Sequence, residues 1–347
     1  MKKSRKMLLN LIGFFYRKVL NNSLIGAISR VDPQIMNKNK KRIITVHERP
    51  NVNFVNKLTI KENYHEYAIV VQGPVVYNNN FTLTTLKIYV DMFPDANLIL
   101  STWEDTRHDF LSELKDLPVT VLLNKLPYSG GLLNINFQLT STINGLNAVN
   151  KSVKYVLKTR TDTRIYSKNA LIDMKNLLDL YLPNITQMNR RIIGIDSNTP
   201  KYIPFNFSDV MQFGDINDVK KYWDHPIVNT KKIVMKDYLS KNTCFKDFYD
   251  NPNPEIILFK SFLDRIDIQH NNTYDSYHKV IKDMLIIIDK EMINHYWFKY
   301  SSNEYYWSYK YGQKEKYERI RYLDWLRIYN GVPPTNFYEF FFTERDE

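Results

Sequence analysis

Tyr67-Ala-Ile-Val-Val-Gln72 runs straight into Gly73-Pro74. A short apolar run stopped by a turn pair is the mark of a buried strand meeting a loop. After Asn78-Asn79-Asn80, the apolar positions Leu83, Leu86, Val90 and Phe93 keep helical spacing until Pro94 closes the segment. Asn97-Leu-Ile-Leu-Ser101 is then a second apolar run. Strand, helix and strand within 35 residues make a βαβ unit, which implies parallel strands joined by a right-handed crossover.

The alternation continues outward. Val119–Leu123 predicts a third strand, Asn134–Val149 a helix with Ile135, Leu139, Ile143 and Leu146 on one face, and Val153–Leu157 a fourth strand. Further strands are expected at Arg191–Ile195, Val210–Phe213 and Leu285–Ile288, and a helix at Glu255–Leu263. The fold class is therefore α/β: an open, Rossmann-type, mostly parallel sheet flanked by helices, with a later mixed half.

The chain of 347 residues has a net charge of +11, but the charge is unevenly placed. Residues 1–42 hold eleven Lys or Arg against Asp32 alone, which leaves 37 basic and 36 acidic side chains in the rest. A protein that tracks phosphates along a duplex needs its basic groups on the folded body. The near-neutral body argues against nucleic acid. The single cysteine, Cys244, excludes an internal disulfide and a Cys-rich zinc site, and makes a reducing cytoplasm the default.

The excess charge sits on an amphipathic pattern. Lys3, Lys6, Asn10, Gly13 and Arg17 form one narrow polar stripe, and Met7, Leu8, Leu9, Leu11, Ile12, Phe14, Phe15 and Tyr16 fill the remainder. The apolar run is too short to span a bilayer, which takes about 20 residues. A basic helix of this kind suits the plane of an anionic membrane, so residues 1–20 are expected at the inner face of the cytoplasmic membrane. Docking on the protein's own body is the structural alternative. Residues 1–62 as a whole read as this arm plus a connector.

In open α/β sheets, ligands collect beyond the carboxyl ends of the strands. Those ends here carry Gln72-Gly73-Pro74, then Ser101-Thr102-Trp103-Glu104-Asp105, then Lys158, Arg160 and Asp162. Three acids, two cations and an aromatic around one cleft suit a diphosphate: carboxylate oxygens can hold a divalent cation and basic groups can neutralise phosphate. Each piece also has a structural reading. Gly73-Pro74 suits a plain turn, Trp103 a core aromatic, Glu104 and Asp105 a helix cap, and Asp162 an ion pair with its basic neighbours.

Taken in order, several strings resemble the WavE family, which is associated with lipopolysaccharide core synthesis. They are Val70-Val-Gln-Gly-Pro-Val-Val76, Ile99-Leu-Ser-Thr-Trp-Glu104, and Asn134-x-Asn136-x-Gln138-x-x-Ser141-Thr142-x-x-Gly145-Leu146. Lys158-Thr-Arg-Thr-Asp162, Ser208-Asp209-x-x-x-Phe213-Gly214-Asp215 and Pro254-Glu255-x-x-Leu258 complete the set. The resemblance covers roughly residues 66–300. It implies a GT-A-like glycosyltransferase domain over 63–300; outside the resemblance, the aromatic-rich extension 301–347 is expected to pack on that domain. The implied partners are a nucleotide-sugar donor and a lipid-linked or lipopolysaccharide acceptor.

On that resemblance Gln72, Gly73, Pro74, Trp103, Glu104, Asp105, Lys158, Arg160 and Arg164 bind the nucleotide sugar. Asp162 stands where such enzymes keep the acid of an Asp-x-Asp metal motif. Here the string is Asp162-Thr163-Arg164, with no second acid. Two routes stay open: a divalent cation (manganese or magnesium), or metal-independent neutralisation of the diphosphate by Lys158, Arg160 and Arg164. A carboxylate is the expected base for the acceptor hydroxyl, with Asp209 and Glu255 preferred over Asp215. Glu255 equally suits a first-turn helix acid, and His295 is either a metal ligand or a packed core histidine. A non-catalytic nucleotide- or sugar-binding scaffold in a polysaccharide-assembly complex is the alternative function.

Overall fold

All six side chains of β1 (Tyr67–Gln72) are buried, as a parallel strand covered on both faces requires. The computed structural model describes residues 63–201, 203–227, 250–300 and 319–332, all within one unit, Val55–Glu347. The arm and connector, 1–62, lie outside the described residues, as does most of 301–347.

Parallel to β1 run β2 (Asn97–Trp103) on one side and β4 (Tyr155–Arg160) on the other, and β3 (Val119–Asn124) adds to β2. Beyond β4 come β7 (Gln212–Asp215), β6 (Ile192–Ile195) and β8 (Leu285–Ile288), in the sheet order β3-β2-β1-β4-β7-β6-β8. Only β7 is antiparallel within this sheet. The expected mostly parallel sheet with a mixed half is therefore what forms. A small antiparallel pair, β5 (Thr163–Ile165) with β9 (His295–Trp297), stands apart.

Helix α1 (Phe81–Met92) fills the first crossover, entered through Asn79 and Asn80 in the left-handed region that Asn tolerates. Short α2 (His108–Glu113) fills the second. The third crossover, α3 (Ile135–Asn147), packs close against the sheet. A Cβ on Gly145 would stand 2.5 Å from Val70 Cγ1 and 3.1 Å from Ser101 Cβ, so only glycine lets α3 approach β1 and β2 this closely. Helices α4 (Ala170–Leu180), α5 (Ile216–Trp223), α6 (Pro254–Arg265), α7 (Tyr274–Met284) and α8 (Tyr322–Tyr329) pack around the mixed half. Fully buried Trp325 of α8 donates its Nε1–H to the Leu285 carbonyl at 2.8 Å, tying this part of the C-terminal region to β8.

Two strand starts shift by two residues from the sequence expectation. Val153 belongs to a turn closed on the Asn150 carbonyl, so β4 starts at Tyr155. Val210 is held by the Ser208 hydroxyl, so β7 starts at Gln212. The β5–β9 pair has no apolar run in Thr163-Arg-Ile165 or His295-Tyr-Trp297, and the sequence offered no strand pattern there.

Candidate active site

The sheet register aligns the candidate segments. Gln72 is level with Ser101 on β2 and with Arg160 on β4, and Trp103 is level with Asn124 on β3. Neighbouring strands lie about 4.8 Å apart, so the carboxyl ends of all four share one edge. The Gly73 N–H donates to the Ser101 carbonyl at 3.0 Å, and the Glu104 N–H to the Asn124 carbonyl at 3.0 Å. Gly73 holds φ +117°, with Thr161 Oγ1 only 3.2 Å from where a Cβ would stand. That same hydroxyl donates to the Pro74 carbonyl at 2.6 Å, locking the Gly73-Pro74 turn to the end of β4. Gln72 is buried, its carboxamide oxygen accepting from Ser141 Oγ of α3 at 2.7 Å. Glu104 and Asp105 remain exposed beside this turn.

Arg160 and Asp162 pair fork to fork, with a further hydrogen bond from Trp297 Nε1 to Asp162 Oδ2 at 3.0 Å. Burial works against the Asp162 charge, but the Arg160 guanidinium and these hydrogen bonds outweigh it and hold the carboxyl below its usual range. The Arg160 guanidinium lies 5.5 Å from the Trp297 ring centre. Trp297 thus braces both members of the pair from β9. Exposed Lys299 adds positive charge nearby.

Lys158 takes a different role from the expected phosphate contact. It is fully buried, its ammonium sits 4.2 Å from the Trp223 ring centre, and it donates to the Asp209 backbone carbonyl. Burial pushes its pKa down to about 7, against the pull of Asp209. Gln138 Nε2 reaches the same carbonyl at 3.4 Å, while Trp223 Nε1 donates to Gln212 Oε1 at 2.7 Å. Lys158 therefore anchors the segment carrying Asp209.

Glu255 is half-buried at the first turn of α6, where the Asn253 side chain caps the helix by accepting from the Ile256 N–H at 2.9 Å. Burial, and then the charge of Asp209, push the Glu255 pKa well above the usual carboxylate range. Lys158 feels the charges of Asp209, Arg160, Asp162 and Glu255 together. These five groups form one electrostatic cluster over the end of β4. With Asp162 pushed down and Glu255 pushed up beside a basic group, the cluster can accept a proton and stabilise negative charge.

Four candidate residues lie elsewhere. Arg164 is fully buried and donates to Thr85 Oγ1 and the Phe81 carbonyl, both at 2.9 Å; its guanidinium fixes β5 to α1 instead of facing a donor. Trp103 is buried edge-on against Phe137 of α3, with ring centres 5.8 Å apart, and serves the core. Asp215 is paired with Tyr155 at the opposite edge of the sheet, because β7 is antiparallel, and it caps α5 through the Asn217 N–H. His295 is buried in β9, level with Ile165, as a packed core residue. A cavity of about 590 Å³ bordered by His65, Asp95, Asn97, Pro118 and Asn150 also belongs to that opposite edge, remote from the acids.

The metal expectation for Asp162 meets an obstacle in the donor set. Both carboxylate oxygens are already engaged by Arg160, and one also by Trp297. Among the described residues no three or more His, Cys, Asp and Glu side chains converge as metal ligands. A cation bound at Asp162 would have to compete with the Arg160 fork for these oxygens.

Sequence reasoning missed Trp297, Trp223, Lys299 and Asn198, whose amide donates to Glu255 Oε1. Asn198 lies in Asp196-Ser-Asn-Thr-Pro200, a turn cluster directly after the predicted strand Arg191–Ile195. Reading that strand end like the earlier ones was the available signal.

Solved structures give remote likenesses only. A glycosyltransferase involved in glycosylation of the major capsid of the virus PBCV-1 is 12% identical, with 65% of this chain and 81% of that one covered and a TM-score of 0.34. A 4-diphosphocytidyl-2C-methyl-D-erythritol synthase from Anaerococcus prevotii is 11% identical, covering 55% and 85%, with a TM-score of 0.32. Mouse xyloside xylosyltransferase 1 is 9% identical, covering 65% and 85%, with a TM-score of 0.31. Scores this low carry no functional argument. No curated protein matches the chain. The family model described as WavE lipopolysaccharide synthesis, however, matches residues 67–330, which include every strand and helix described above. This chain belongs to the WavE lipopolysaccharide synthesis family.

Proposed function

We propose that the chain is a glycosyltransferase that moves a sugar from a nucleotide-sugar donor to a lipopolysaccharide, lipooligosaccharide or other surface-polysaccharide acceptor. One observation carries this reading. The strand register gathers Gly73-Pro74, Glu104 and the Arg160–Asp162 pair at one edge, beside the acids Asp209 and Glu255. In the transfer, the bond from the anomeric carbon to phosphate oxygen breaks and a bond to the acceptor oxygen forms. The acceptor proton passes to the Glu255 carboxylate, and Arg160 offsets the charge left on the diphosphate. Exposed Glu104 and Asp105 are positioned to meet the base or ribose.

Among the described residues no helix is long and apolar enough to cross a membrane. The basic arm, residues 1–20, lies outside them and is assigned to an anionic membrane surface at the cytoplasmic face, where a lipid-linked acceptor would be met. The test is release of free nucleotide from a panel of nucleotide sugars, with and without a lipooligosaccharide acceptor. Acceptor-dependent release supports transfer. Calorimetric binding of a nucleotide sugar without release would instead favour the non-catalytic scaffold.

A further inference from the structure

Glu255 belongs to a closed ring of hydrogen bonds, through side chains and backbone, that no first-turn helix acid requires. Asn198 donates its amide N–H to Glu255 Oε1. Asn206 donates to the Asn198 carbonyl at 2.9 Å, and Asn253 donates to Asn206 Oδ1. Asn253 then caps α6 through the Ile256 N–H, one residue beyond Glu255. The ring thus returns to its start. Asn206 is buried, whereas Asn198 is exposed on the rim, so the ring runs from the core out to the carboxylate. Asn198 holds φ +64° and Phe205, at the far end of the same loop, φ +63°. Asn tolerates this backbone, but a phenylalanine there is uncommon and persists where the surroundings impose it.

We infer that Asn198 is a positioning residue: supported by Asn206 and Asn253, it fixes the Glu255 carboxylate as proton acceptor. The inference rests on the proposed sugar transfer and names the device that aims its base. Plain helix capping does not need it, because Asn253 alone satisfies the Ile256 N–H. The other charged or titratable groups acting on this neighbourhood are Asp209 between β6 and β7, Arg160 and Lys158 on β4, and Tyr222 on α5. Of these, Asp209 works against ionisation of Glu255 and Arg160 works for it. Asn198 adds a donor that favours the ionised form.

The discriminating variant is Asn198→Gly, because glycine adopts the αL backbone freely and removes only the donor. The full chain, labelled with ¹³C at glutamate carboxyls, is titrated by NMR, with Glu255→Gln identifying the resonance. Asn198→Gly is expected to raise the Glu255 midpoint by about one pH unit. The acidic limb of kcat/KM should move up by the same amount, giving roughly tenfold lower activity on that limb. Donor KM and the alkaline plateau should hold. An unchanged carboxyl midpoint overturns the inference, even if turnover falls. A shifted midpoint with an unshifted kinetic limb removes Glu255 as the proton acceptor, and the positioning role with it. The glycosyl-transfer reading fails separately, by absence of acceptor-dependent nucleotide release from the unaltered protein.

Discussion

Arg160 grips Asp162 through two parallel hydrogen bonds, Nε to Oδ1 at 2.8 Å and Nη2 to Oδ2 at 3.0 Å. The Asp162 side chain is 13% exposed, so the pair is shielded without being fully dry. Its lowered pKa means that the pair stabilises the fold above the ordinary Asp value of 3.8 and loses that contribution as pH falls further. In Asp162→Asn the fork loses its charge while the shape survives. The expected result is a loss of about 1–3 kcal/mol in thermal stability at pH 7, tending to zero at low pH. Nucleotide release should drop by roughly a hundredfold, since Arg160 is no longer aimed. Melting curves and turnover on one preparation check both; full activity would remove the pair from the mechanism.

Lys158 tests how the Asp209 segment is held. Its cation is fully buried, and burial disfavours the charged form near neutral pH. Lys158→Met keeps the volume, removes the buried charge, and leaves Gln138 as a remaining donor to the Asp209 carbonyl. Thermal stability at pH 6–7 should therefore stay within about 1 kcal/mol of the parent. Sugar transfer should fall by about tenfold or more as the Asp209 segment loosens. A large destabilisation with normal specific activity would show that Lys158 serves the core alone.

Glu255 gives a pH dependence of opposite sign to Asp162. Its folded pKa is raised above the ordinary value of 4.5 by burial and by Asp209. The neutral form is favoured in the fold, so its contribution is complete below 4.5 and fades as pH rises through the folded value. Glu255→Gln should melt with the parent near pH 4.5 and exceed it at pH 8 by about 1–2 kcal/mol, while losing activity. A difference that does not change with pH would contradict the raised value.

Much of the parallel half was legible because β1, β2 and β3 are apolar runs closed by turn residues, and their carboxyl ends do fall at one edge of the sheet. The mixed half was less so. Whether Asp215 or Asp209 faces that edge depends on the direction of β7, and periodicity carries no direction. Arg164 reads like Arg160 in sequence, yet β5 leaves the main sheet and turns its guanidinium onto α1. Trp297 reaches Asp162 from 135 residues away, through a strand pair with no apolar signal.

Gly145 in the Ser141-Thr142-x-x-Gly145 string has a steric role that is testable apart from chemistry. A methyl there would press on Val70 and Ser101, forcing α3 off β1 and β2. Gly145→Ala should cost about 1–3 kcal/mol despite its better helix propensity. Denaturant unfolding checks it, and a stabilised variant would refute the close approach.

The central claim is that separate strand ends form one site for an activated sugar. Crystals of the full chain soaked with UDP, GDP and CMP test it most directly. The account requires nucleotide density beyond the carboxyl ends of β1, β2 and β4, with its phosphates between the Gly73-Pro74 turn and Arg160. Nucleotide bound at the opposite edge, near His65 and Asn150, with that turn empty, would contradict it.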